Sequence, residues 1–201
     1  MTAISDGRIK TRINPALAKP DHTNPINKAI HFVCIWPIFW TGLALFASIG
    51  VIAIPPEIAE YLPLKPEAWN LHLGTPIALT YVVVYLAMDA FAGGLAAALV
   101  LACYLTSNLW VAGGGSAAVA GGANVFCWAA QVYGHGVHEG RAPALLDNLF
   151  QAFLASPLFV LCEVLFELGY KSELQKRVKQ KVRQNIAEYR ASKAAEKSKA
   201  E

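Results

Sequence analysis

Four long apolar runs, separated by short polar breaks, dominate the chain. Asn24 followed by Pro25 reads as an N-cap and first helical position, so a helix should start there and continue through the apolar run from Ala29 to Ile54. At about 1.5 Å per residue it is long enough to span a bilayer, and Pro37 is tolerated within a membrane helix. Pro55-Pro56 should stop it. Residues 57–76 read as a connector. The stretch from Ile77 to Ala112 is too long for one crossing, and Asp89 with Gly93-Gly94 breaks it near the middle, which predicts a hairpin of two spans. Ala96, Ala97, Ala98 and the glycines should let helix backbones approach closely. Gly113-Gly114-Gly115 reads as a turn, and Ser116 to Tyr133 as a fourth, shorter span. From Ala144 to Leu168 the chain is apolar but carries Asp147, Glu163 and Glu167 and is interrupted by Ser156-Pro157. This predicts a bent helix that lies in the interface or re-enters.

Beyond Glu173 the pattern changes. Leu174, Val178, Val182 and Ile186 recur every fourth residue within a basic stretch. That stripe suits a helix on an anionic membrane surface, and equally a solvated helix with a weak packing seam. The expected fold is therefore all-α: an integral-membrane helical bundle of about four transmembrane helices, a bent or interfacial helix and a basic C-terminal helix. Residues 1–21 read as a mobile arm, 22–190 as one membrane-embedded domain and 191–201 as a disordered tail.

Composition agrees with a membrane protein. The 201 residues are 55% hydrophobic and 15% charged, with a mean hydropathy of +0.39, too apolar for an ordinary soluble domain. Of the 17 Lys and Arg, five lie in residues 1–28 and ten after residue 170, which leaves only Lys65 and Arg141 between. The net charge of +3 thus describes two basic ends, which the positive-inside rule places in the cytosol if the spans number four. No DNA-binding motif accompanies those ends, so no nucleic-acid partner is expected. Residues 1–28 lack the apolar core of a signal peptide. Cys34, Cys103, Cys127 and Cys162 each stand alone in an apolar run and read as buried free thiols.

The candidate chemistry lies in two polar stretches. Gly134-His135-Gly136-Val137-His138-Glu139-Gly140-Arg141 places two histidines, a carboxylate and an arginine between apolar runs, where ionisable groups are expensive. His22 to His31 holds two more histidines and Asn27. With four spans both stretches reach one membrane face, whereas His72 falls at the opposite face and reads as structural. Asn27 and His31 share a helical face, as do His135 and Glu139 if that segment is helical. Two or three imidazoles, a carboxylate and open positions describe a non-haem Fe(II) site that activates oxygen. The alternative on residues alone is a polar cap over two helix ends, with Glu139 paired to Arg141 and no metal. Without a G-x-S-x-G elbow, a Walker loop, a Rossmann fingerprint or an H-E-x-x-H pair, the commoner enzyme motifs are excluded. Asp89 reads as a hairpin-turn residue rather than the ion site of a transporter, since no inverted repeat accompanies it. A non-catalytic lipid-binding or scaffold protein is the second functional reading.

At these two stretches the sequence resembles a known family. His22-x4-Asn27-x3-His31, the run Gln131-Val132-Tyr133-Gly134-His135 through Glu139 to Asn148, and the segment from Pro157 to Tyr170 are similar to the signatures of the fungal 2-hydroxy-fatty-acid dioxygenases, small endoplasmic-reticulum membrane proteins of phytosphingosine breakdown. The resemblance implies Fe(II)-dependent α-oxidation: a 2-hydroxy fatty acid and O2 give the fatty acid one carbon shorter. It implies His22, His31 and His135 as iron ligands and carries over Glu139. His138 departs from the pattern and stands as an extra ligand, a proton shuttle or a tolerated substitution. On this reading Arg141 holds the substrate carboxylate or a lipid headgroup. Asn27 and Gln131 orient ligand histidines, Asn27 also reaching substrate, and the acyl tail runs in a groove lined by Phe32, Trp36 and Trp128. The last residues, Lys197 to Glu201, resemble a lysine-based retrieval signal, which implies an endoplasmic-reticulum membrane location with both termini and the metal site on the cytosolic side.

Overall fold

The computed structural model describes residues 24–138 and 149–178, together with 180, 181, 183, 184, 187 and 191. The chain divides into two units, Asn24–Tyr170 and a second whose described residues begin at Lys171. In the second unit residues 172–178 are helical, Lys176 pairs with Glu173 at 2.7 Å, and Leu174 and Val178 are exposed.

The first unit is a helical bundle. Its order is α1 (Pro25–Ile49), the short α2 (Pro56–Ala59), a 3-10 turn (Pro66–Trp69), α3 (Thr75–Met88), α4 (Ala92–Ala112), α5 (Ala117–Tyr133), a π-helical turn (Gly134–His138) and α6 (Leu149–Glu167). Among the described residues, α1 and α4 are long and apolar enough to cross a membrane. Four spans were expected. At 14 residues α3 is about 21 Å long, short of the roughly 30 Å of a bilayer's hydrocarbon core, and α5 has 17 residues.

Boundaries follow local chemistry. The Asn24 side chain accepts from the N–H groups of Ile26 and Asn27 and caps α1 as its position predicts. The helix ends at Gly50 rather than at Pro55-Pro56, because Ile52 leaves it to exchange two backbone hydrogen bonds with Leu71. The α3–α4 hairpin turns at Asp89, whose carboxylate accepts from Phe91 N–H, Ala92 N–H and the Tyr170 hydroxyl. That supports the turn role over an ion site. The two helices meet closely: a Cβ on Gly93 would collide with the Tyr85 carbonyl, and Ala92, Ala96 and Val100 are buried against Tyr85 and Tyr104.

Ser156-Pro157 does not break the last helix; α6 runs through it. Proline has no N–H, so the carbonyl four residues back loses its helical partner. That carbonyl belongs to Phe153, and the Tyr81 hydroxyl donates to it at 3.0 Å, while Tyr85 donates to the carbonyl of Leu154 at 2.9 Å. Two tyrosines of α3 thus satisfy α6 where it is weakest and fasten the helices together. An ion pair of 2.6 Å between Lys28 and Glu163 ties α6 to the start of α1.

Candidate metal centre

The site forms where the start of α1 meets the end of α5. Asn27 and His31 lie four residues apart, one turn above the other on a helical face. Asn27 is fully buried. His31 Nδ1 lies 3.1 Å from the Asn27 backbone carbonyl. Opposite them, Gly134 packs directly on Asn27, and a Cβ there would strike the asparagine side chain. The chain then enters the π-turn, a wider turn often found at functional positions. It carries His135 inward, leaving that residue 5% exposed. His135 Nδ1 lies 3.5 Å from Asn27 Nδ2. The rings of His31 and His135 stand 5.0 Å apart, centroid to centroid, at 88°. A second asparagine, Asn24, donates from Nδ2 to the His138 carbonyl at 3.3 Å. The N-cap Asn24 and Asn27 of α1 thereby hold the π-turn, and Asn27 contacts both histidines.

The other predicted residues fall as follows. The His138 ring packs edge-on against Tyr133 at 5.5 Å. His22, Glu139 and Arg141 lie outside the described residues. Gln131 is buried one turn before His135, and its Nε2 has no hydrogen-bond partner. Among the described residues His31 and His135 form a pair, and no group of three or more His, Cys, Asp or Glu is close enough to hold a metal. His72 lies in the connector, buried: its Nδ1 accepts from Gly74 N–H, and its ring stacks on Tyr104. Burial holds its pKa below the usual histidine value. The four cysteines are free thiols, as expected; the thiol of Cys34, one turn after His31, shares a hydrogen bond with that of Cys127 in α5. The Lys28–Glu163 pair was not foreseen, since no spacing rule joins residues so far apart in the chain.

Below the histidines lies a cavity of about 630 Å³ bounded by α1, α3, α5 and α6. Its walls are apolar except at Gln131, Asn124 and Ser156. Of the three aromatics expected to line a groove, Trp128 does so. Phe32 stays partly exposed, and Trp36 packs edge-on against Phe39 instead.

Comparison with known proteins decides the family. The model described as "2-hydroxy-palmitic acid dioxygenase Mpo1-like" matches residues 18–168. The chain belongs to the Mpo1-like family. One relative in this family, the Saccharomyces cerevisiae protein named 2-hydroxy-palmitic acid dioxygenase MPO1, is 28% identical over 177 residues, which cover 86% of this chain and 89% of the yeast protein. No solved structure matches. The Mpo1-like match spans both histidine stretches, so the residues that converge at the end of the bundle lie within the region that defines the family.

Proposed function

We propose that this Mpo1-like chain is an Fe(II)-dependent dioxygenase that shortens 2-hydroxy long-chain fatty acids by one carbon. The observation that carries the reading is the convergence of His31 and His135 around Asn27, two imidazoles from opposite ends of the sequence held edge to face at 5.0 Å. Family membership and the yeast relative's name supply the substrate class.

The residues present suit a divalent iron. Imidazole is a common ligand for it, and metal-bound histidines usually commit their second nitrogen to a carbonyl or carboxylate. His31 fits that arrangement: a proton on Nδ1, directed at the Asn27 carbonyl, would put the metal-binding lone pair on Nε2. His135 matches it when Asn27 presents its side-chain oxygen to Nδ1, since the two ends of an amide are assigned from their hydrogen bonds. His31 and His135 are the ligands proposed from the described residues, with His22 supplying a third. His138 and Glu139 are further candidates. Bound there, iron would supply one-electron redox chemistry and a template beside the substrate, whose oxidised carbons would provide the net electrons for reducing O2.

The chain's own residues then have separate tasks. Asn27 orients both rings. Arg141 holds the substrate carboxylate by two parallel hydrogen bonds. The proposed setting is a membrane of the endoplasmic reticulum, with substrate drawn from the lipid phase and the histidines on the cytosolic side.

The test is metal content and turnover of the purified full chain. Wild type should carry iron and convert a 2-hydroxy fatty acid with consumption of O2. His135→Ala should lose the iron and at least a hundredfold in activity, on the order of what supporting residues of a metal site alone can cost. Full turnover by metal-free protein would reject the proposal.

A further inference from the structure

The cavity beside the histidines has the form of a ruler. Along α1 it is lined from Ile35 to Phe46, eleven residues on, which at 1.5 Å per residue makes it about 16 Å long. Half of a roughly 30 Å bilayer core is about 15 Å, the depth filled by one long acyl chain. Its two ends differ. α5 runs antiparallel to α1, with Gly134 on Asn27, Asn124 donating to the Ile38 carbonyl, and Gly121 nearest Leu45. Gln131 therefore marks the end next to His135, and Phe46 marks the far end. At the near end the Gln131 side chain, 7% exposed, has an amide Nε2 with no hydrogen-bond partner. At the far end the lining is apolar, and α3 contributes Ile77 to the cavity wall. Asn124 adds no free polarity on the way, because its Nδ2 is committed to Ile38 and Thr41.

We infer that this cavity seats the acyl chain of the substrate, that Gln131 donates to an oxygen of its head, and that the wall from Gly42 to Phe46 sets the chain length accepted. The inference rests on the dioxygenase reading for the identity of the head group. Its own support is the joining of a buried amide donor to a leaflet-length, half-open apolar groove one turn from His135. Gly42 is the position that makes the ruler adjustable. It lines the groove between Phe39 and Phe46, and a Cβ built on it meets nothing within 4 Å. A larger side chain there would occupy the groove rather than displace the bundle, and replacing glycine inside a helix favours the helix.

The experiment uses the full chain in detergent, loaded with iron, and a ladder of saturated 2-hydroxy fatty acids stepped by two carbons. Binding is read by displacement of a fluorescent fatty acid, and turnover is read in parallel. Wild-type affinity should rise about fourfold per methylene while the chain is still filling the groove, then level off. Gly42→Leu should move the plateau to chains shorter by about 6 Å, the four residues from Gly42 to Phe46. Phe46→Ala should move it to longer ones, and Gln131→Leu should weaken every member of the ladder alike. If folded Gly42→Leu and Phe46→Ala both give the wild-type ladder, the cavity is not the seat and the inference falls, while turnover still upholds the dioxygenase. If the binding ladder shifts but no acid is turned over, the seat stands and the dioxygenase reading fails. A wild-type cavity that retains a two-chain phospholipid against every acid on the ladder overturns the inference in favour of a bilayer lipid.

Discussion

Two ends of the bundle each bury a histidine, and they use it in opposite ways. At one end His135 faces a second imidazole across Asn27, beside a cavity. At the other end His72 is held by its own loop: Gly74 donates to Nδ1, the His72 backbone N–H donates to Thr75, and the ring lies parallel to Tyr104 at 5.0 Å. Around it the Tyr104 hydroxyl and the Asn108 amide both donate to the Asn70 carbonyl and hold the connector against α4, while His72 Nε2 and Asn108 Oδ1 stay buried without a partner. Burial is thus common to both histidines and distinguishes neither. What separates them is whether polar atoms converge from separate elements upon one point or close a loop upon itself.

The largest effect should come from the asparagine that joins the histidines. Asn27→Ala is expected to lower iron affinity and kcat/KM by about 10- to 100-fold, the range for residues that orient metal ligands, whereas His72→Phe should leave both unchanged. Equal losses in the two variants would erase the distinction between the ends. Next comes Gly134→Ala. Its methyl group must push Asn27 away from His135 or force α5 off α1, and overpacking of this kind costs about 1–3 kcal/mol. Thermal unfolding measured with and without iron should show part of that loss as weaker stabilisation by the metal. The smallest effect concerns acid. Since burial lowers the native pKa of His72, the unfolded chain binds a proton that the native one refuses. Stability should therefore fall as pH drops below about 6.5 toward the lowered native value, and be independent of this group at higher pH. Unfolding curves of His72→Phe across that window should show a shallower acid-side slope.

Local signals in the sequence were read correctly where the physics is local. The Asn24 cap, the Asp89 hairpin and the triple-glycine turn depend on residues within a few positions, and each appears where it was expected. The pairing of Asn27 and His31 also follows from helical spacing. Span lengths were less legible, because hydropathy does not separate helix from an apolar connector such as Val51 to Ile54. The continuity of α6 was hidden for a different reason: the hydroxyls that satisfy the carbonyls beside Pro157 come from α3, some seventy residues earlier. The π-turn that presents His135 has no sequence signature beyond its glycines. The cavity depends on how four helices pack, and of its predicted lining Trp128 alone was found.

Pro157 has one more implication. An engineer scanning for easy gains would exchange it for alanine, since proline is the worst residue for a helix interior. In this bundle that exchange would give Phe153 back an intrahelical partner, and Tyr81, whose ring borders the cavity, would have to share its acceptor with it. A gain for the isolated helix would be set against looser seating of its neighbour, so the imperfection in one element is the attachment point of the next.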